Sequence, residues 1–123
     1  MWPWKPRPPR TLGQQGEDAA ARYLRRKGYR ILERNVRAGR YEIDIIARYR
    51  DELIFVEVRS RSAEDAIAPE DTIGPVKQEH VRRAVEHYLA RRPGPPVYAR
   101  IDIVAVILPP GGSPKITHYE NAF

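Results

Sequence analysis

The sequence predicts an α/β fold in which a mixed central sheet is flanked by helices. Two segments have apolar residues at helical spacing, and five further segments alternate with period two or are continuously apolar, as strands are. The order is helix, three strands, helix, strand, strand. A three-strand meander followed by a helical crossover to a later strand combines antiparallel with parallel pairing, so we expect a mixed sheet.

The first half of the chain is predicted to form a helix and three strands. Thr11 and Gln14 resemble a capping box that opens the helix, and Gly28 stands where a helix commonly ends. The elements that follow are strands at 29–35, 41–47 and 53–59, separated by turns at 36–40 and 48–52.

The second half begins with residues 60–75, which show no clear period. A connection of that length is often functional or mobile. Pro75 is well placed at the start of a second helix, which the segment RRPGPP ends. A long strand at 97–108, a PPGGSP turn and a short strand at 115–119 complete the prediction.

Length and composition limit the class of protein. The chain has 123 residues and no cysteine, which favours one domain (11–123), excludes disulfides and thiolate metal sites, and makes a cytoplasmic location the expectation. Residues 1–10 hold four prolines and two tryptophans without periodicity, so we predict a loosely ordered arm. This arm has no apolar signal-peptide core, and no apolar run approaches the ~20 residues that span a bilayer.

Positive charge is concentrated in one part of the sequence. The formal net charge is +6, which favours an anionic partner such as nucleic acid or a lipid surface. Residues 22–40 contain eight Arg or Lys residues against the single acid Glu33. Genome composition or thermal adaptation could equally explain the abundance of arginine.

Strand 41–47 and its neighbour 53–59 carry acidic side chains in an otherwise apolar setting. A turn centred between residues 50 and 51 makes cross-strand partners sum to 101. Asp44 then lies opposite Glu57, and Glu42 lies opposite Arg59, with Cβ atoms ~5 Å apart. Strict alternation would place 41, 43, 45 and 47 on the opposite face from 42, 44 and 46.

Two facing carboxylates are unfavourable unless something offsets their charge. At ~4 Å and an effective dielectric of 20, they repel by about 4 kcal/mol. Mg²⁺ between Asp44 and Glu57 would remove that repulsion and could activate a water molecule. The alternative is a set of surface ion pairs on a solvated face, although Leu53 and Phe55 share the face of Glu57.

Glu17 is a third candidate acid, because it borders the face of the first helix that packs on the sheet. It could instead be a solvated first-turn residue that the helix dipole favours.

Seven motifs occur in order between Leu12 and Phe123: GEDAAARYL, GYRILERN, YEIDIIA, LIFVEVRSR, KQEHVRRAVEHYL, RIDIVAV and the terminal ITHYENAF. Together they resemble the uncharacterised bacterial YraN-like family. That family in turn resembles the archaeal Holliday-junction resolvases and the restriction-endonuclease-like fold with its PD-(D/E)xK signature. The resemblance implies a restriction-endonuclease-like αβββαβ core, in agreement with the element order above.

The resemblance also implies a catalytic set. Asp44 takes the signature aspartate, Glu57 the second acid and Glu17 the acid on the first helix, with Asp44 and Glu57 binding Mg²⁺ or Mn²⁺. Tyr41 departs from the family, which usually has glycine before EID. Arg59 departs further by replacing the signature lysine, since arginine can stabilise phosphate charge but cannot give up a proton.

The implied function is a metal-dependent endonuclease acting on DNA rather than RNA, with branched DNA as one possible substrate and a homodimer needed for a symmetric junction. One alternative is a non-catalytic nucleic-acid-binding module that keeps the fold. Another is a protein-interaction domain with an acidic partner. The candidate phosphate contacts are Arg22, Arg25, Arg26, Arg37, Arg40 and Lys77. Lys77 could also supply an ammonium group, although a solvated first-turn lysine is the simpler interpretation.

Overall fold

The computed structural model describes residues 10–63 and 73–123, which form two helices and five strands. The elements are α1 (Leu12–Arg26), β1 (Arg30–Ala38), β2 (Tyr41–Tyr49), β3 (Glu52–Ser62), α2 (Pro75–Arg91), β4 (Tyr98–Leu108) and β5 (Lys115–Tyr119). The predicted order is confirmed. The predictions for the arm before Arg10 and for residues 64–72 of the long connection lie outside the described residues.

The five strands form one sheet in the order β1-β2-β3-β4-β5. All neighbouring pairs are antiparallel except β3 and β4, which run parallel. A parallel pair needs a crossover, and α2 lies in that connection. The fold is therefore the predicted mixed α/β sandwich, consistent with a restriction-endonuclease-like core.

Each helix covers a different face of the sheet. Leu24 and the alanines of α1 pack with Ile45 of β2 and Val56 of β3 in one core cluster. Val81, Ala84 and Val85 of α2 pack in a second cluster, which contains Leu53 and Phe55 of β3. The strands thus separate two cores, and alternate residues of β3 belong to opposite layers.

The strands extend further than the sequence predicted, because both hairpins turn through only two residues. Gly39 and Arg50 have φ values of +65° and +56°, and such left-handed residues match tight hairpin turns. β1 therefore continues to Ala38 and β2 to Tyr49. The predicted centre of the second turn, between residues 50 and 51, is confirmed.

Helix α1 begins and ends as predicted. The Thr11 side chain accepts a hydrogen bond from Gln14 N, and the Gln14 side chain accepts one from Thr11 N. Gly28, just after the helix, has φ +92°, which completes the predicted C-terminal stop. No helix within the described residues is long and apolar enough to cross a membrane.

Candidate active site

The predicted carboxylates lie where β2 and β3 stop pairing. The predicted register holds from the turn to the pair Ile45–Val56, and the ladder ends there. The expected pairs Asp44–Glu57 and Glu42–Arg59 fall outside it. Asp44 Oδ2 instead accepts a hydrogen bond from Val58 N at 2.8 Å. A side chain therefore satisfies a backbone donor of β3 just beyond the end of the ladder.

The alternation predicted for β2 is wrong at this point. Ile43 packs in the α2 layer together with Ile46, whereas Ile45 packs in the α1 layer. On β1, Asn35 has φ +53° and lies between the partners of Ile43 and Ile45. Asparagine tolerates the left-handed conformation better than most residues, and such outliers concentrate at functional sites. The local distortion of both strands brings Asp44 to the gap in the sheet.

Glu57 is a buried acid with an incompletely neutralised charge. It is 5% exposed and follows Leu53 and Phe55 on the face that α2 covers. Burial, and next the nearby charge of Asp44, raise the pKa of Glu57 to about 7, despite opposing contributions from Lys77 and Arg59. A glutamic acid that titrates near neutrality can hold or release a proton under physiological conditions.

Asp44 responds to the same surroundings. Burial raises the pKa of Asp44 above its usual value, while the hydrogen bond from Val58 N, the charge of Lys77 and a hydrogen bond with Glu57 oppose that shift. Such a bond requires one of the two carboxyl groups to hold a proton. The two carboxyl groups are thus near neighbours, although their strands have stopped pairing.

Glu17 approaches Asp44 from α1. Its side chain is 16% exposed, and Oε1 lies 3.8 Å from Arg34 Nη2 but has no hydrogen-bond partner in the described residues. Burial and then the charge of Asp44 raise the pKa of Glu17, while Arg34 and a hydrogen bond from Asn35 lower it. The interpretation of Glu17 as a solvated first-turn residue is therefore wrong.

Gly16 allows this approach of α1. A Cβ atom at Gly16 would lie 2.8 Å from Ser60 Cβ and 1.7 Å from Ser60 Oγ, closer than non-bonded atoms can approach. The absence of a side chain lets the first turns of α1 lie directly on β3, and Glu17 follows in sequence.

Lys77 is not simply a solvated lysine. Its Nζ lies 3.3 Å from Glu57 Oε1, and its side chain is 44% exposed. The first turn of α2 therefore brings an ammonium group to the carboxylates. The neighbouring strand β3 carries Arg59 at the position of the signature lysine. Arg59 is half-buried near Glu57, and its Nε has no hydrogen-bond partner among the described residues.

The donor set fits a hard divalent cation. Mg²⁺ and Mn²⁺ prefer oxygen ligands, and Mg²⁺ usually keeps several waters. Within residues 10–63 and 73–123, no three His, Cys, Asp or Glu side chains form a complete metal cluster. The protein would therefore supply Asp44 and Glu57. The Oε1 atom of Glu17, which accepts no hydrogen bond within the described residues, is a further oxygen beside Asp44. A cation there would stabilise carboxylates that otherwise repel one another.

The predicted phosphate-binding residues do not form a single patch. Arg22, Arg25 and Arg26 are exposed on α1, whereas Lys77 belongs to α2 on the other face of the sheet. Arg40 is exposed in the turn between β1 and β2, with Arg37 beside it on β1. These cations therefore offer two alternative surfaces.

A second charged network was not predicted from the sequence. Asp102 is fully buried in β4, where it accepts hydrogen bonds from Arg100 Nε at 3.0 Å and Asn121 N at 2.9 Å. His118 Nε2 lies 2.7 Å from the same carboxylate, and Lys27 Nζ lies 3.1 Å from His118 Nδ1. The available signal was the acid inside the apolar motif RIDIVAV, but its partners lie on distant elements.

Comparisons with known proteins agree with the sequence motifs. The family model described as "Uncharacterised protein family UPF0102" matches residues 16–106. A UPF0102 protein of Syntrophotalea carbinolica is 42% identical over 92% of this chain and 91% of its own length. Another, from Streptomyces griseus, is 44% identical over 88% of this chain and 92% of its own length. A third, from Chlorobium phaeobacteroides, is 42% identical over 94% of this chain and 95% of its own length.

Proposed function

Since the chain belongs to the UPF0102 family, whose name assigns no activity, we propose that it is a Mg²⁺- or Mn²⁺-dependent endonuclease acting on DNA in the cytoplasm. The observation that carries this proposal is the group of three incompletely neutralised acids. Glu17, Asp44 and Glu57 all have raised pKa values, and the charge of Asp44 contributes to the shift of both glutamates. A close cationic partner would instead lower the pKa of a buried acid, and strongly perturbed pKa values cluster at functional sites.

A divalent ion bound there would polarise a phosphodiester and lower the pKa of a bound water. Asp44 and Glu57 would hold the ion, and Glu17 would add negative charge beside it. Lys77 is placed to stabilise charge on a phosphate or to give up a proton, the second of which Arg59 cannot do. Arg59 would neutralise phosphate charge. In this proposal Lys77 supplies the ammonium that the family signature places at residue 59.

Branched or structured DNA is the substrate to test first, because the resemblance is to junction resolvases. Cutting both strands of a symmetric junction would require two active sites, and hence a homodimer.

The alternative is a DNA-binding module that keeps the fold without cleaving. Arg59 and the Lys77–Glu57 contact at 3.3 Å favour it, because an ion pair between Lys77 and Glu57 competes with metal for the same carboxylate. The two functions differ in whether divalent ions displace Lys77 from Glu57.

Cleavage assays on linear, nicked and four-way-junction DNA test the proposal. The wild type should cleave only with Mg²⁺ or Mn²⁺, Asp44→Asn and Glu57→Gln should lose at least a hundredfold, and Lys77→Met should lose more activity than Arg59→Met. Asp51→Asn changes an exposed carboxylate in the turn of the same hairpin and should be unaffected. DNA binding without any metal-dependent cleavage, even in Arg59→Lys, would establish the alternative.

A further inference from the structure

We infer that the DNA backbone leaves the carboxylates along a groove between α2 and the hairpin of β1 and β2, rather than along the arginines of α1. This inference rests on the proposed action on DNA and names the surface that binds it. We call this feature the hairpin groove. Its lining includes Arg37, Arg40 and Tyr41 from the hairpin and Arg83, His87 and Arg91 from α2.

The hairpin groove consists of two adjoining clefts. Their volumes are about 460 and 310 Å³, and they share Ala38 and His87. A Cβ atom at Gly39 would come within 3.2 Å of His87 Cδ2. The hairpin tip and α2 therefore touch at this point, which forms the floor of a continuous surface.

The groove is continuous with the candidate active site through α2. Lys77 contacts Glu57 at 3.3 Å. One helical turn later, His80 stacks on Tyr41 with ring centroids 4.3 Å apart, and Tyr41 lines the groove. A strand leaving the carboxylates past Lys77 would thus meet this stacked pair and then the arginines.

The groove has the charge that a phosphate backbone requires. Among the described residues, its lining holds five arginines and one acid, Glu86. Arg83 pairs with Glu79 at 3.0 Å, but both side chains are more than half exposed, so solvent weakens the pair and a phosphate could replace it. Glu33, the acid of β1, is already hydrogen bonded to Tyr88 at 2.5 Å.

The spacing along α2 suits consecutive phosphates. Arg83, His87 and Arg91 recur at four-residue intervals and share one side of the helix. Eight residues of helix span about 12 Å. One strand of a duplex carries three to four phosphates over that axial length, at about 3.4 Å each.

DNA binding by the full-length Asp44→Asn protein tests this inference without interference from cleavage. A fluorescent four-way junction and a duplex of equal length serve as probes, and affinity is measured by anisotropy at several salt concentrations. The groove variant is Arg40→Ala, Arg83→Ala, Arg91→Ala. The matched control is Arg22→Ala, Arg25→Ala, Arg26→Ala, which removes the same charge from α1.

We expect the groove variant to reduce the slope of log affinity against log salt by about 0.9 for each lost phosphate contact. The α1 control should keep most of the wild-type slope. Replacing the same groove arginines by lysine should restore it. Thermal melts verify folding, and Arg91→Glu alone gives a second test with a single exposed change.

Equal slopes for the two triple variants, or a larger loss in the α1 control, would overturn the groove. The cleavage assay distinguishes this failure from failure of the nuclease proposal. If the wild-type protein binds DNA through the groove but does not cleave it, the groove is established and the nuclease proposal is refuted. If the groove substitutions leave cleavage normal, the nuclease proposal stands and the groove is refuted.

Discussion

Glu57 and Asp102 are buried carboxylates on adjacent strands, one residue apart in register, and their surroundings are opposite in kind. Asp102 lies beside Val56, and Glu57 lies beside Ile103. Burial alone would raise the pKa of Asp102, but hydrogen bonds from His118, Arg100 and Asn121 N hold it below its usual value. Glu57 has one ammonium at 3.3 Å and a pKa raised to about 7.

The difference separates a structural charge from one available to a ligand. The Asp102 network joins β4 to β5 through His118, while Arg100 also donates to Tyr29, which follows α1. Its donors and acceptors satisfy one another, so binding a ligand would break existing bonds. At Glu57 a cation would supply the compensation that the fold lacks. The same residue class therefore stabilises the fold at one position and is free for chemistry at the other.

The largest expected effect is on the stability of Asp102→Asn. Removing this charge takes away the closest partner of the largely buried Arg100 and leaves it Glu52 and Glu120, each at 3.6 Å. The free energy of unfolding should therefore fall by about 3 kcal/mol. Glu57→Gln should leave it unchanged or raise it without metal, because a repelling charge is removed. Urea unfolding of both variants measures the contrast. If both variants lose the same stability, Glu57 is as much a structural charge as Asp102.

The two carboxylates should also give stability opposite dependences on pH. Folding raises the pKa of Glu57, so the stability associated with its proton is present below about 4.5 and lost as pH rises through about 7. A shift of that size corresponds to roughly 3 kcal/mol. Folding lowers the pKa of Asp102, so its contribution is present above its ordinary value of 3.8 and lost in stronger acid.

Urea unfolding from pH 3 to 8.5 would measure both dependences. Glu57→Gln should flatten the fall between pH 4.5 and 7 and leave the acid limb unchanged. A wild-type protein whose stability rises through that interval would show that Glu57 is compensated in the folded state.

Divalent metal should stabilise the wild type through the acids at the gap. A ligand bound only by the folded state adds about 2.7 kcal/mol at one hundred times its Kd. Asp44→Asn and Glu57→Gln should lose this response to Mg²⁺ or Mn²⁺, and Asp51→Asn should keep it, in thermal melts at constant ionic strength. A response that survives in Glu57→Gln would place the metal elsewhere.

The sequence predicted the elements and the hairpin turn, because helix caps, periodicity and turn centres are local properties. It failed where contacts between distant elements decide the structure. Alternation in β2 breaks opposite the left-handed Asn35, which no period reveals. The Lys77–Glu57 contact and the bonds of Asp102 to His118 and Asn121 depend on how α2 and the last strand pack. The candidate acids Glu17, Asp44 and Glu57 were predicted, but Asp102 and its cationic partners were not.

A smaller effect is expected from Gly16→Ala, which changes no charge. The added Cβ would clash with Ser60, so α1 must shift, at a cost of about 1 to 3 kcal/mol. Glu17 follows Gly16 directly and would move with α1. We therefore expect the metal to stabilise this variant less than the wild type, in addition to the loss of stability without metal. Gly13→Ala, where a Cβ atom has only an ordinary contact at 3.9 Å, is the matched control. Loss of stability with an unchanged metal response would mean that Glu17 is not part of the site.

The smallest effect on stability, and the sharpest test of the comparison, is expected from Lys77→Met. Its partly exposed pair with Glu57 should contribute less than about 1 kcal/mol. The titration of Glu57 should nevertheless move upward from about 7, because Lys77 lowers that pKa by its charge and its hydrogen bond. Carboxyl NMR of Glu57 measures this shift, and Arg83→Met, which removes a cation paired with Glu79, should leave it unchanged. If losing Lys77 instead costs 3 kcal/mol or more, Glu57 is bound as firmly as Asp102, and its carboxylate is a structural partner of α2 rather than a ligand held ready for a cation.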